Sequence, residues 1–215
     1  MMSESAVRRL IEVFEAISSA IEAERDHLSE LDGAIGDADH GITMAIGFSA
    51  VTGELARTDA GSAGLSGVMT AAASAFLNAV GASTGPLYAT AFRRAAQALE
   101  GRDTLDIEAC SLLIQAVAAG IGERGKGQRG DKTMLDVWLP AADAAAQAVA
   151  AAKSTAAFWA DVTAAAENGA SATRSMVATK GRAARVGERS LGHMDPGAAS
   201  AVLIIRAMAQ TLREG

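Results

Sequence analysis

The sequence predicts an all-α fold, an up-and-down arrangement of eight antiparallel helices, on three observations. Alanine is in large excess, with only three prolines and 4% aromatic residues in 215. That composition favours closely packed helix, because Ala has the best helix propensity. Apolar residues recur at helical spacing in eight successive segments. The connections between them are mostly short, and a short connection returns the chain beside the element it has just left.

In the first helix, Val7, Leu10, Ile11, Phe14, Ile17 and Ile21 form one face, and the helix runs on into an acidic loop. Seven further segments lie near 42–55, 65–80, 86–99, 107–121, 133–151, 155–179 and 198–212. Each ends at Gly, Asp or Ser punctuation. The run Val202-Leu203-Ile204-Ile205 is rich in β-branched residues, yet it sits in a longer helical pattern that continues to Met208 and Leu212.

Size and charge narrow the class. A chain of this length can bury one sizeable core, and no hydrophilic linker or Pro-rich stretch divides it, so residues 1–215 read as a single domain. A net charge of −6 without a basic tract argues against nucleic acid as the main partner. Cys110 is the only cysteine, which excludes an internal disulfide and fits a reducing, cytoplasmic location; its place on an apolar stripe predicts burial. The N-terminus, with Glu4, Arg8, Arg9 and Glu12, lacks a signal-type hydrophobic segment. No span is expected to reach the ~18 apolar residues of a membrane helix.

In an up-and-down topology alternate loops share one end. The loops after the first, third, fifth and seventh helices are the unusual ones: Leu31–Gly41, Gly81–Pro86, Gly122–Lys132 and Lys180–Gly197. Four polar, Gly-rich loops on one rim describe a site. Glycine lets backbone N–H groups approach a ligand, and helix N-termini that follow favour anions such as phosphate. The first loop places Asp32, Asp37 and Asp39 among three glycines, with His40 the only other titratable group. Clustered carboxylates in such a turn suit Mg²⁺, which is held by a few carboxylates plus substrate phosphates. A helix-capping turn with solvated Asp is the alternative.

Other chemistries fail on spacing. Gly125-Lys126-Gly127-Gln128-Arg129-Gly130 matches G-x-G-x-x-G but follows a helix, without βαβ surroundings. As a P-loop it has Asp131 where Lys is required. Counting an EF-hand from Asp32, Asp37 or Asp39 lands on Thr43, Phe48 or Ala50 in place of the bidentate Glu. One Cys and the dispersed His27, His40 and His193 offer no zinc spacing, and no G-x-S-x-G elbow is present. His27 reads as a polar helix end; His40 and His193, in the rim loops, are open to a site role or a structural hydrogen bond.

Four segments in order are distinctive: Leu31-Asp32 with Ile35 to Gly41; Gly85-Pro86-Leu87-Tyr88; Gly130-Asp131-Lys132-Thr133-Met134-Leu135-Asp136; and Lys180-Gly181-Arg182-Ala183 through Gly187 to Ala198. Together they resemble the nucleotide-binding L subunit of dihydroxyacetone kinase, over the whole chain. The resemblance implies an antiparallel eight-helix up-and-down barrel with the nucleotide site in the loops at one end. It implies that Asp32, Asp37 and Asp39 hold two Mg²⁺ against the phosphates of ADP or ATP. It places nucleotide contacts at His40, Gly41, Ile42, Thr43, Ser83, Thr84, Gly125, Met134, Arg182, Asp195, Pro196 and Gly197. Asp195 and Pro196 also look like an N-cap and first residue of the last helix, and Met134 can pack against adenine. The second loop departs from the family pattern, with Ala82 for a glycine and Thr84 for a serine.

No general base stands out among these residues. The resemblance implies that a separate K subunit holds dihydroxyacetone and that this chain supplies nucleotide and metal. In one family scheme a phosphohistidine protein of the phosphotransferase system recharges bound ADP to ATP in place. In the other, ATP exchanges as a substrate, usually within one longer chain; the lack of a fused K domain favours the first. A related ketose such as erythrulose is an alternative acceptor, a nucleotide-sensing coregulator of a transcription factor is an alternative role, and homodimerisation is open. No membrane partner is expected.

Overall fold

Nine α-helices form among the described residues, 2–81 and 83–213 of a computed structural model. They are α1 (Met2–Ala23), α2 (Arg25–Ile35), α3 (His40–Leu55), α4 (Ala60–Ala79), α5 (Thr84–Ala98), α6 (Ile107–Gly125), α7 (Leu135–Ala150), α8 (Thr155–Ala172) and α9 (Pro196–Leu212). Two 3₁₀ segments, Thr173–Ser175 and Ala183–Ser190, lie between α8 and α9, and no strand occurs among the described residues.

The ninth helix comes from the first predicted one. Glu24 leaves helical geometry, at φ −104° and ψ 10°, and α2 starts afresh beyond it. Apolar spacing hides this break, because Ile21, Leu28 and Ile35 are all buried at seven-residue intervals across it. The predicted helix 155–179 stops at Ala172, where Thr173 turns its hydroxyl to the Ala170 carbonyl at 2.6 Å. In α4, Gly64 takes φ +62°, which only glycine adopts cheaply, so regular helix begins at Leu65 as the spacing predicts.

From α3 to α9 each helix packs on its neighbour in sequence, and α1 packs on α9, α3 and α4. The apolar faces meet in one core. Phe14, Phe48, Phe76, Tyr88 and Phe92 interlock on one side, with edge-to-face pairs at 5.6 Å for Phe14 and Phe92 and 5.3 Å for Phe48 and Phe76. Trp138, Phe158 and Trp159, on α7 and α8, are buried in the same core, with Phe158 and Trp159 edge to face at 5.1 Å.

Pro140 inside α7 leaves the Asp136 carbonyl without its helical donor. Gly169 of α8 covers that carbonyl so closely that a Cβ there would lie 2.0 Å from its oxygen.

Contrary to the expectation from sequence, α4 is long and apolar enough to cross a membrane, with a mean hydropathy of 1.3. Its Leu65, Val68, Met69, Ala72, Ala73 and Phe76 are buried in the core.

Candidate functional site

The four Gly-rich loops follow α2, α4, α6 and α8, and all four line one cavity of about 670 Å³. That volume lies within the range of small-molecule and cofactor pockets. Eight of the ten buried polar side chains among the described residues belong to these loops or the helix turns that bound them; Ser111 on α6 and Ser200 on α9 are the exceptions. Three of the four non-glycine residues at positive φ, Ala38, Lys126 and Lys132, are there too. Such conformations persist only where the surroundings enforce them.

On the acidic wall, ligand atoms of Asp32, Asp37 and Asp39 all lie within 4.8 Å of one another. Asp32, at the end of α2, is buried and its Oδ2 accepts the backbone N–H of Asp39 at 2.9 Å and of His40 at 3.2 Å. It therefore caps α3 from seven residues upstream, while its other oxygen is left to the cavity. Gly36 makes room for it, since a Cβ there would lie 2.1 Å from Asp32 Oδ1. Asp37 and Asp39 are exposed, and Arg182 pairs with Asp37 and stands 3.6 Å from Asp39. Three hard oxygen donors so close together fit a divalent cation such as Mg²⁺.

His40 is buried, with Nε2 2.9 Å from Ser200 Oγ on α9. Ser200 Oγ donates to the Gly197 carbonyl at 3.0 Å, which leaves its lone pair for an Nε2–H of His40. Burial pushes the His40 pKa down to about 4, against the pull of Asp32. Asp195 caps α9, accepting the Ala198 N–H at 2.7 Å, with Pro196 at the first turn. Burial holds its carboxyl up at about 7 despite that bond and the Lys132 charge.

Of the residues predicted for the site, Asp32, Asp37, Asp39, His40, Thr43, Ser83, Thr84, Gly125, Met134, Arg182, Asp195, Pro196 and Gly197 line the cavity. Gly41 and Ile42 do not. Gly41 is buried against α2, where a Cβ would strike the Arg25 carbonyl, and Ile42 is 51% exposed. Ser83 caps no helix N–H, so its hydroxyl is not spent on the helix. Ala82 lies outside the described residues. His193 lies outside the lining, and its carbonyl accepts from the buried ammonium of Lys132. Cys110 is buried, and its thiol is pushed up to about 12 by desolvation, which leaves it unreactive.

Lys132 was not singled out by sequence. It is 1% exposed, at φ +59°, and its ammonium donates to the carbonyls of Thr173 and His193 at 2.5 Å each. Those two residues flank the segment that carries Lys180 and Arg182. The same neck is tied by the Gly192 N–H to the Arg174 carbonyl at 2.8 Å and the Asp195 N–H to Thr173 Oγ1 at 3.1 Å. Asp131 and Asp136 brace the loop before it: Asp131 accepts from Gln128 N–H and Thr179 Oγ1, and Asp136 from the Gly130 and Thr133 N–H groups. The sequence signal was Gly130-Asp131-Lys132 itself, which fails as a P-loop and belongs to one of the four distinctive segments, without pointing to Lys132 in particular.

The DAK2 domain family matches residues 34–210. The PEP-dependent dihydroxyacetone kinase 1, ADP-binding subunit DhaL, of Listeria innocua serovar 6a is 41% identical over 191 residues, 89% of each chain. The corresponding PEP-dependent subunit DhaL of Escherichia coli K12 is 38% identical over 89% of this chain and 90% of its own. The crystal structure of the dihydroxyacetone kinase from C. freundii in complex with AMP-PNP and Mg²⁺ superposes with a TM-score of 0.70 at 25% identity, covering 93% of this chain and 33% of that one. This chain thus spans about a third of that longer kinase. A family match that runs from the acidic loop into α9, with relatives alike over nearly nine-tenths of both lengths, shows that the chain belongs to the DAK2 domain family.

Proposed function

We propose that this chain is the ADP-binding subunit of a dihydroxyacetone kinase, passing a phosphoryl group from Mg-ATP to dihydroxyacetone held on a separate K subunit. The observation that carries this reading is the convergence of four loops on one cavity with three carboxylates within 4.8 Å on its wall. Asp32, Asp37 and Asp39 would hold two Mg²⁺, which neutralise phosphate charge and stabilise the charge spread in transfer. The α9 N-terminus offers the Gly197 N–H and a positive dipole end to the cavity, which suit an anion; Pro196 has no N–H, and that of Ala198 is held by Asp195. Ser83, Thr84 and Arg182 supply further donors, and Met134, beside Gly197, offers a polarizable surface for the base. His40, neutral near pH 7, orients the first turn of α3 through Ser200 and carries no charge toward the phosphates.

The likeness to PEP-dependent DhaL subunits favours ADP recharged in place by a phosphohistidine protein. In this reading the chain is one cytoplasmic domain over 1–215, its helices forming an antiparallel barrel, and sugar choice belongs to the K subunit. Mass spectrometry of nucleotide released by denaturation, paired with the rate of labelled ATP exchange in Mg²⁺, tests it. Stoichiometric, slowly exchanging ADP supports the relay. An empty site that exchanges ATP readily points to an ATP-dependent kinase, and no nucleotide binding sinks both.

A further inference from the structure

Charge is divided unevenly around the cavity. Segments 121–132 and 173–194, which frame part of its mouth, hold nine of the 19 Lys and Arg and three of the 25 Asp and Glu, so they carry +6 and the rest of the chain −12. Part of that positive charge is spent locally. Arg129 pairs with Asp143, Arg182 with Asp37, and Lys132 is buried on two carbonyls. Arg124, Lys126, Lys180, Arg185 and Arg189 are exposed and make no salt bridge among the described residues. Arg124 and Lys180 line the cavity, where nucleotide phosphates account for them. Lys126, Arg185 and Arg189 lie outside the lining, and a nucleotide in the cavity has no use for them.

We infer that Lys126, Arg185 and Arg189 form a docking surface for an acidic face of the protein that holds the phosphoryl acceptor. This rests on the relay reading, in which the acceptor is carried by a second chain and must be brought to the cavity mouth. An acidic partner is repelled by the −12 carried elsewhere and attracted only at this rim, so the charge pattern orients the encounter as well as strengthening it. The rim is also preorganised. Arg185 and Arg189 ride on the 3₁₀ segment Ala183–Ser190, whose loop is clasped at its neck by Lys132, and Lys126 is fixed at φ +51° as the C-cap of α6. A fixed backbone under these cations leaves only their side chains to be ordered when a partner arrives. A nucleic acid strand fits less well, since it would run off a small patch onto the acidic remainder.

The test is the triple variant Lys126→Asp, Arg185→Glu, Arg189→Glu; Asp tolerates the left-handed conformation at 126. Calorimetry would follow binding of the dihydroxyacetone-loaded K subunit at low and high NaCl, and of MgADP separately. The unmodified chain should lose about tenfold or more in K-subunit affinity as salt rises, and the variant about tenfold or more at low salt, with its salt dependence flattened. MgADP affinity should stay within about twofold, because none of the three lines the cavity. The salt series on the unmodified chain stands even if the variant misfolds. Unchanged K-subunit affinity in the folded variant overturns the inference. So does a parallel loss of MgADP affinity, or a DNA duplex that competes with the K subunit. A chain that binds MgADP without binding the K subunit overturns the docking surface alone, whereas one that fails to bind MgADP overturns the kinase reading beneath it.

Discussion

The helical body and the loop rim of this molecule are held by different physics. In the body, small residues and aromatics bring helices together until backbone meets backbone, as where Gly169 covers the Asp136 carbonyl. In the rim, charged side chains reach back to main-chain groups: Asp32 to two N–H groups of α3, Asp136 to two of its own loop, Lys132 to two carbonyls at the neck of the next. The rim charges therefore do structural work first and face the cavity with what is left over. Body substitutions should register in stability, and rim substitutions in ligand binding or in the order of one loop.

The sharpest separation is expected at Asp37, which holds no backbone group among the described residues and pairs with Arg182. Asp37→Ala should cut phosphoryl transfer by about 100-fold or more through lost metal affinity. The melting temperature should hardly move, since an exposed ion pair is worth about 1 kcal/mol at most. Full transfer activity in Asp37→Ala would refute its part in the metal site. The opposite pattern belongs to Gly169→Ala, where the new methyl must push α7 and α8 apart. A loss of about 3 kcal/mol in chemical denaturation is expected, with MgADP affinity retained in the folded fraction; an unchanged midpoint would show that the helices can part freely.

Lys132 joins the two regions. Lys132→Met keeps the apolar stem and orphans the Thr173 and His193 carbonyls, at a net cost of about 2 kcal/mol. Its distinctive outcome is local: faster amide exchange and proteolysis confined to residues 174–192, with α1 to α6 protected as before. Uniform loosening of the whole chain would mean that the clasp is not specific to that loop.

Apolar spacing located the body because its faces are set by local periodicity, down to the start of regular helix at Leu65 and the helical reading of Val202 to Ile205. The same regularity concealed the Glu24 break, since the register survives a one-residue turn there. The rim was legible as composition, four Gly-rich loops with clustered charge. The partners of its side chains were not, because they are contacts between distant segments: Asp32 with α3, His40 with Ser200 across 160 residues, Lys132 with Thr173 and His193. Arg182 was expected beside phosphate, and its pairing with Asp37 depends on how the α8–α9 loop folds over α2, which no spacing shows.

The smallest effect concerns two buried groups whose titrations oppose each other. Desolvation lowers His40 from 6.5 to about 4. The stability this contributes is present above pH 6.5 and lost as pH falls toward 4, because the unfolded chain takes up the proton first. Desolvation raises Asp195 from 3.8 to about 7, so its contribution is full below 3.8 and lost as pH rises through about 7. Between those limits one gain offsets the other, and acidification alone should alter the urea midpoint little. Asp195→Asn keeps an equally good helix cap and removes one side of the balance. In that variant stability should fall by about 1 kcal/mol from pH 6.5 to about pH 5.5, and the further change His40→Gln should flatten the curve again. A flat profile in Asp195→Asn alone would mean that His40 gains its proton without cost, and so that burial does not hold the ring neutral.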